Sequence, residues 1–264
     1  MFSMRAKVLN LEGQEGDSLD LPAIFETPFR EDVINRVFVA QASHGMQPQG
    51  RDPLAGERTS AESGHPPTGR GISRIPRVKG ERYAKSGMAG AVASTVHGRL
   101  PHPPRSEKVL RKEINAKERY LAVASAVAAT ADKTLVQKRG HKFTSNLPIV
   151  VSSDLEKITK ARDLKKFLVA VGADQDVARA GNRKKKVTSA LAKRTRVGVG
   201  PLIVAANPSN LRNASKAFTG VNVISCTTLS VLDLAPGSIP GRLTIWTKDS
   251  LDGISKNVLN IGGK

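Results

Sequence analysis

One stretch limits the possible folds of this chain more than any other. Gly64 to Arg105 reads GHPPTGRGISRIPRVKGERYAKSGMAGAVASTVHGRLPHPPR, and its seven glycines and six prolines interrupt every helical or strand period. Only six of its 42 residues are Ile, Leu, Val or Phe. Ordering a backbone costs about 1–2 kcal/mol per residue, and so little apolar surface cannot offset that cost. The stretch is therefore not expected to fold by itself, and any structure it has is supplied by something else. Its charge points to what that is: Arg70, Arg74, Arg77, Lys79, Arg82, Lys85, Arg99 and Arg105 face a single acid, Glu81.

The imbalance recurs once. Arg183 to Arg196 (RKKKVTSALAKRTR) holds seven basic residues and no acid. Together the two stretches account for 14 of the net +19 charges in 56 residues, leaving a nearly ordinary body of 208. A merely solvated face intersperses acids, whereas Gly181 to Gly200 has none. Two acid-poor patches suit phosphate neutralisation by Arg forks and by backbone N–H groups at glycine turns. RNA is favoured over DNA, because no recognition-helix spacing is present and an arm that orders on its target is a common RNA mode. If about 8 to 10 phosphates are contacted, affinity falls by roughly three to five decades between 50 and 200 mM salt.

Other classes are disfavoured. Polybasic membrane docking needs a lipid anchor or an amphipathic helix beside the patch, and neither accompanies these two. The start MFSMRAKVLN lacks a signal peptide's apolar middle and no apolar run approaches 18 residues, so neither export nor a membrane span is expected. One cysteine, Cys226, excludes an internal disulfide and a thiolate-rich metal site, with the reducing cytoplasm as the default compartment.

Outside residues 42–107 the pattern is that of an α/β domain. Arg5 to Leu11 alternates as a strand, and Ser18 to Leu21 pairs back on it as a hairpin. Arg30 to Ala42 has helical spacing, with Thr27 as N-cap and Pro28 in the first turn. Ile114 to Ala131 is a second helix, with Asn115 and Glu118 forming a capping box. Leu147 to Val151 and Pro201 to Ala206 are short apolar runs of the kind buried on both faces, and Val221 to Ser225 and Leu243 to Trp246 are two further strands. Leu155 to Val171 keeps one apolar helical face up to Gly172, and Ser209–Phe218, Leu229–Leu234 and Ser250–Val258 are the remaining helices. Strands alternating with helices predict a mostly parallel sheet with helices on both faces, plus a long extended basic loop. The expected domain is residues 1–41 with 108–264, and 42–107 is inserted in it.

Motifs for chemistry are scarce. GRGISR (Gly69 to Arg74) follows no buried strand and opens no helix, as a phosphate loop requires. His65, His97, His102 and His141 have neither Cys partners nor helical pairing, so they read as solvated loop residues with RNA contact as the functional option, not as a zinc set. Asn207-Pro208 directly after an apolar strand is the one enzyme-like signal, resembling the turn by which some amino-group methyltransferases hold a base. Here Ser209-Asn210 follows, with no aromatic to stack on it. No catalytic residues, cofactor, metal or small-molecule substrate are expected; the alternative is an RNA-modifying methyltransferase with the basic arm as substrate guide.

Several motifs, in order, resemble a known family. QPQGRDPLAG (Gln47 to Gly56), HPP (His102 to Pro104), INAKERYLAVASAVAATAD (Ile114 to Asp132), RGH (Arg139 to His141), GPLIV (Gly200 to Val204) and LAPGSIPGRLTIWT (Leu234 to Thr247) are similar to the L-four (uL-four) proteins of the large ribosomal subunit, archaeal type. The resemblance implies a structural constituent of the large subunit that binds 23S-type ribosomal RNA and supports assembly. It also implies neighbouring ribosomal proteins as partners and a long loop that helps line the peptide exit tunnel beside the nascent chain. Carried over by position, Arg51 and Arg58 sit at the base of the loop, with Arg99, His102 and Arg105 where it returns. GRGISRIPRVKG is the tunnel-proximal part, bearing Arg70, Arg74, Arg77 and Lys79, with Arg82 and Lys85 beyond it. Arg183, Lys184, Lys185, Lys186, Lys193, Arg194 and Arg196 form the second RNA-binding patch.

Overall fold

The computed structural model describes residues 4–63, 69–183, 185–188 and 193–254. Contacts divide the chain into His44–Arg111 and the two segments that flank it. The flanking segments build a six-stranded sheet. In chain order its elements are β1 (Arg5–Leu9), β2 (Glu15–Asp20), α1 (Glu31–Ser43), then, after the 44–111 unit with its two-residue strands β3 (Ala61–Glu62) and β4 (Arg77–Val78), α2 (Ala116–Ala131) and α3 (Lys133–Lys138). There follow β5 (Ile149–Val151), α4 (Ala161–Ala170), α5 (Asp174–Asn182), β6 (Lys185–Thr188), β7 (Lys193–Arg196), β8 (Leu202–Ala205), α6 (Ser209–Ser215), β9 (Asn222–Ser225), α7 (Val231–Leu234), β10 (Thr244–Thr247) and α8 (248–254).

The sheet order is β2-β1-β5-β10-β8-β9, parallel throughout except for the β1–β2 hairpin. Burial of both faces, with side chains alternating between them, explains why its central strands read as unbroken apolar runs. Val150, Leu202, Val204 and Trp246 face one layer, with Ile34 and Val37 of α1, the alanines of α2, and Val231 and Leu234 of α7. Ile149, Val151, Ile203, Ala205 and Ile245 face the other, with Leu164, Phe167 and Leu168 of α4 and Leu211 of α6. Phe25 meets Trp246 edge-to-face, with ring centroids 5.6 Å apart.

Several expected details differ. Thr27 ends a 3-10 turn over Ala23–Glu26 and does not cap α1. Arg30 N–H instead donates to Ser125 Oγ at 2.7 Å, tying the start of α1 to α2. Asn115 occupies the N-cap of α2 without a side-chain bond, and the Glu118 carboxylate, the other half of the expected box, pairs with Arg36 at 3.0 Å. The single helix expected over 155–171 is two elements, a 3-10 turn at Ser153–Lys157 and α4, separated by an extended segment at Ile158–Lys160. Leu155 and Ile158 pack into the same cluster as α4, so the apolar period records shared burial and not one continuous helix. The chain after α4 does turn at Gly172, where φ is 71° and an added Cβ would collide with Thr144 Oγ1, so no side chain fits. The last expected helix begins earlier, at 248, and its residues beyond 254 lie outside the described ones.

The 44–111 unit is held by backbone bonds more than by apolar packing. β3 and β4 pair antiparallel, Arg77 bridges to Ala89, and Arg51 N–H donates to Pro104 O at 3.1 Å. Gly56, at φ 88°, would place a Cβ 2.5 Å from Gly98, so two backbone segments meet where no side chain fits. Within the flanking segments, Lys112 N–H donates to Ser43 Oγ at 2.9 Å, which brings together the ends of the chain on either side of this unit.

Candidate nucleic-acid interface

The cations of the 44–111 unit fall into two groups. Arg58 forks onto Asp52 at 2.7 Å, Arg99 lies 3.9 Å from Glu57, and Lys79 pairs with Glu62. Arg77 turns inward, its guanidinium donating to Gly87 O at 2.8 Å and Ser73 O at 3.3 Å, and so braces the turn between them. Arg51, Arg70, Arg74, Arg82, Lys85 and Arg105 are exposed and stand in no ion pair among the described residues. His102 and Arg105 line a cavity with Met46 and Gln47, while Arg58 and Lys85 line another with Tyr83 and His97. These side chains form no single cluster; they are distributed along the unit.

The second basic stretch is a two-stranded hairpin, β6 paired with β7, in which Lys185 stands directly opposite Arg196. Like charges directly opposite are destabilising in a ladder, so a nearby anion would relieve this arrangement. Arg183, Lys185, Lys186 and Arg196 are exposed. Lys184 lies outside the described residues, and of Lys193 and Arg194 only the backbone pairing, with Thr188 and Val187, is described.

A buried polar network holds the base of this hairpin. His141, expected to be a solvated loop residue, is only 5 % exposed. Its Nδ1–H donates to Asp176 Oδ2 at 2.8 Å, and Asp176 Oδ1 accepts from Lys142 N–H at 3.0 Å and Arg179 Nε at 2.8 Å. Arg179 then donates to Val199 O at 2.6 Å, just past β7. Burial pushes the His141 pKa down despite its carboxylate partner. Burial works the other way on Asp176, but the bonds from His141 and Arg179 prevail and hold its carboxyl below the usual range. Arg242 is 2 % exposed and donates to Gly200 O and Asp233 O, each at 2.9 Å. Burial lowers the pKa of both Arg242 and Arg139 to about 10. These guanidiniums are bonded to carbonyl groups and are structural.

At the opposite, C-terminal ends of the parallel strands, where open α/β sheets bind small ligands, Glu156 fills the position. Its carboxylate accepts from Ala206 N–H at 2.7 Å, Asn207 N–H at 3.0 Å and the Thr247 hydroxyl at 2.8 Å. The Asn207-Pro208 turn is thus a braced strand-to-helix connection. Arg162, Lys165 and Lys166 on α4 and Arg212 on α6 are further exposed cations that sequence reasoning passed over. Acids such as Asp163 lie among them in the sequence, so a net count hides them.

The model of the Ribosomal protein L4/L1 family matches residues 19–257. The chain belongs to that family. Among its relatives, the large ribosomal subunit protein uL4 of Sulfolobus acidocaldarius is 44 % identical over 94 % of this chain and 92 % of its own length. The uL4 proteins of Aeropyrum pernix and Methanopyrus kandleri are 45 % and 41 % identical, each over 94 % of this chain and over 91 % and 97 % of their own lengths. Membership in the ribosomal protein L4/L1 family agrees with the motif resemblance. It also sorts the motifs: RGH and PGRLTIWT hold the buried His141 and Arg242 and the half-buried Arg139, whereas QPQGRDPLAG and HPP lie in the 44–111 unit with exposed cations.

Proposed function

We propose that this chain is a structural, non-catalytic constituent of the large ribosomal subunit, acting at the ribosome by binding 23S-type RNA. The observation that carries the reading is the set of exposed, unpaired cations on the 44–111 unit, joined to a hairpin that sets Lys185 against Arg196. Lys and Arg there neutralise closely spaced phosphates and lower the cost of packing RNA helices together, while glycine and proline let the backbone follow narrow clefts. The αβα body is the rigid anchor. The stretch read as 42–107 is the part that penetrates RNA, and GRGISRIPRVKG is its tunnel-proximal portion, with Arg70 and Arg74 outward and Arg77 bracing the turn. Neighbouring ribosomal proteins and the nascent peptide are the further partners. The methyltransferase alternative has no support: the relatives are named as ribosomal proteins, and the amides of the Asn207-Pro208 turn already bond Glu156.

The test is binding of the full chain to deproteinised archaeal large-subunit RNA across a salt series. Tight binding that weakens steeply with salt supports the reading, and a flat salt dependence rejects it. The tunnel assignment is tested by crosslinking from position 74 in subunits stalled on a nascent chain. Adducts to RNA alone would remove the nascent peptide from the list of partners.

A further inference from the structure

A cavity of about 730 Å³ within the 44–111 unit is unused by the electrostatic account. We propose that it is a pocket for one unstacked RNA nucleotide, with the base on Tyr83 and its phosphate on Lys85; this rests on the RNA-binding reading above. Tyr83 is the single Phe, Trp or Tyr between His44 and Arg111. It lines the cavity, yet it is left 55 % exposed, as is Met88 beside it at 57 %. A half-open aromatic face offers sequence-tolerant stacking to any base.

The charge around the ring is one-sided. Arg58, Lys85 and His97 line the cavity, and no Asp or Glu does among the described residues. Arg58 is occupied by Asp52, which leaves Lys85, in no ion pair among the described residues, as the cation open to a phosphate. Hydroxyls of Thr59, Ser60 and Ser94 supply donors and acceptors for a base edge. The volume lies within the range of roughly 300–1,000 Å³ typical of small-ligand sites, which accommodates a nucleotide.

Backbone strain concentrates at the same place. Four described non-glycine residues have positive φ, and three belong here: Ala91 at 56° and His97 at 60° line the cavity, and Arg82 at 58° immediately precedes Tyr83. Each such conformation is strained for a residue with a Cβ and persists only where the surroundings impose it, typically at ligand sites. In a unit with little apolar packing, strain at one cavity is a sign of a shape kept for an occupant.

The experiment uses the full-length chain and deproteinised archaeal large-subunit RNA. Irradiation at ~254 nm is expected to give a nucleotide adduct on Tyr83, since zero-length crosslinking needs the close stacking proposed. Tyr83→Ala should weaken binding by roughly 5- to 150-fold, the range of one lost stacked base, without changing the salt slope. Tyr83→Phe should bind as wild type, and Lys85→Ala should lower the salt slope by about one. Wild-type affinity in Tyr83→Ala, or nucleotide adducts elsewhere in the unit but not at Tyr83, would overturn the pocket while leaving RNA binding intact. A Tyr83 adduct to protein only, in reassembled subunits, would overturn it in favour of a peptide occupant. Failure of the wild-type chain to bind the RNA would overturn the pocket and the wider reading together.

Discussion

Three ion pairs in the 44–111 unit compete with RNA for the same cations, and removing their acids should strengthen binding. Asp52, Glu57 and Glu62 hold Arg58, Arg99 and Lys79 respectively. A cation that keeps its carboxylate neutralises no phosphate, so the triple variant Asp52→Asn, Glu57→Gln, Glu62→Gln frees three cations. Each adds about 0.7 to 0.9 to the slope of log affinity against log salt, so the slope should steepen by about 2 to 3. Between 200 and 50 mM salt, the variant should then gain about 20- to 40-fold more affinity than wild type gains over the same interval. The paired side chains are 40 to 67 % exposed, so each pair contributes only about 0–1 kcal/mol to folding and the melting temperature should barely move. The assay is a salt series of equilibrium titrations of both proteins against one large-subunit RNA, with thermal melts as control. Parallel salt slopes with unchanged melting would refute the reasoning, because Arg58, Lys79 and Arg99 would then not face phosphate.

Two further outcomes concern the body of the protein. Glu156→Ala leaves two turn amides and the buried Thr247 hydroxyl without their acceptor. It should cost about 2–4 kcal/mol, seen in denaturant unfolding or as a melting point lowered by about 4–16 °C, with Glu156→Gln recovering part of the loss. His141 has a folded pKa below its unfolded value, so the unfolded chain binds a proton that the native chain refuses as pH falls below about 6.5. Stability should therefore be level above neutrality and decline as pH drops from about 6.5 toward the depressed folded value. Asp176, itself depressed, loses its contribution only at lower pH. His141→Gln should flatten the decline in unfolding free energy measured between about pH 7.5 and 5, and an unchanged slope would assign it to other groups.

The sheet was legible because its central strands are buried on both faces: LPIVV and PLIVAA are continuous apolar runs, LTIW is broken only by Thr244, and the two layers of helices cover them. α5 and the β6–β7 hairpin were not. α5 buries little beyond Ala180 and Asp176, too small and too polar a face to register as a period. The hairpin carries charge at most positions, so it has no apolar alternation to reveal a strand. α5 and the base of the hairpin are positioned by polar contacts with distant residues, His141 and Val199, that no local window contains.

The basic residues show the limit of charge counting most directly. Arg139, Arg179 and Arg242 are indistinguishable in composition from Arg70, Arg74 and Arg105, yet the first three donate to carbonyls of Pro236, Val199 and Gly200 inside the fold. What separates them is whether a glycine- or proline-rich turn brings a carbonyl within reach of a buried or half-buried guanidinium. The αβα body supplies such turns and so occupies its arginines. The 44–111 unit has few: of the eight basic residues between Gly64 and Arg105, Arg77 alone is turned onto carbonyls among the described side-chain bonds. Its other arginines and lysines are left to exposed acids or to solvent, where phosphate competes on favourable terms. Glycine and proline therefore have opposite consequences in the two units, closing a cationic core in one and leaving the cations outward in the other.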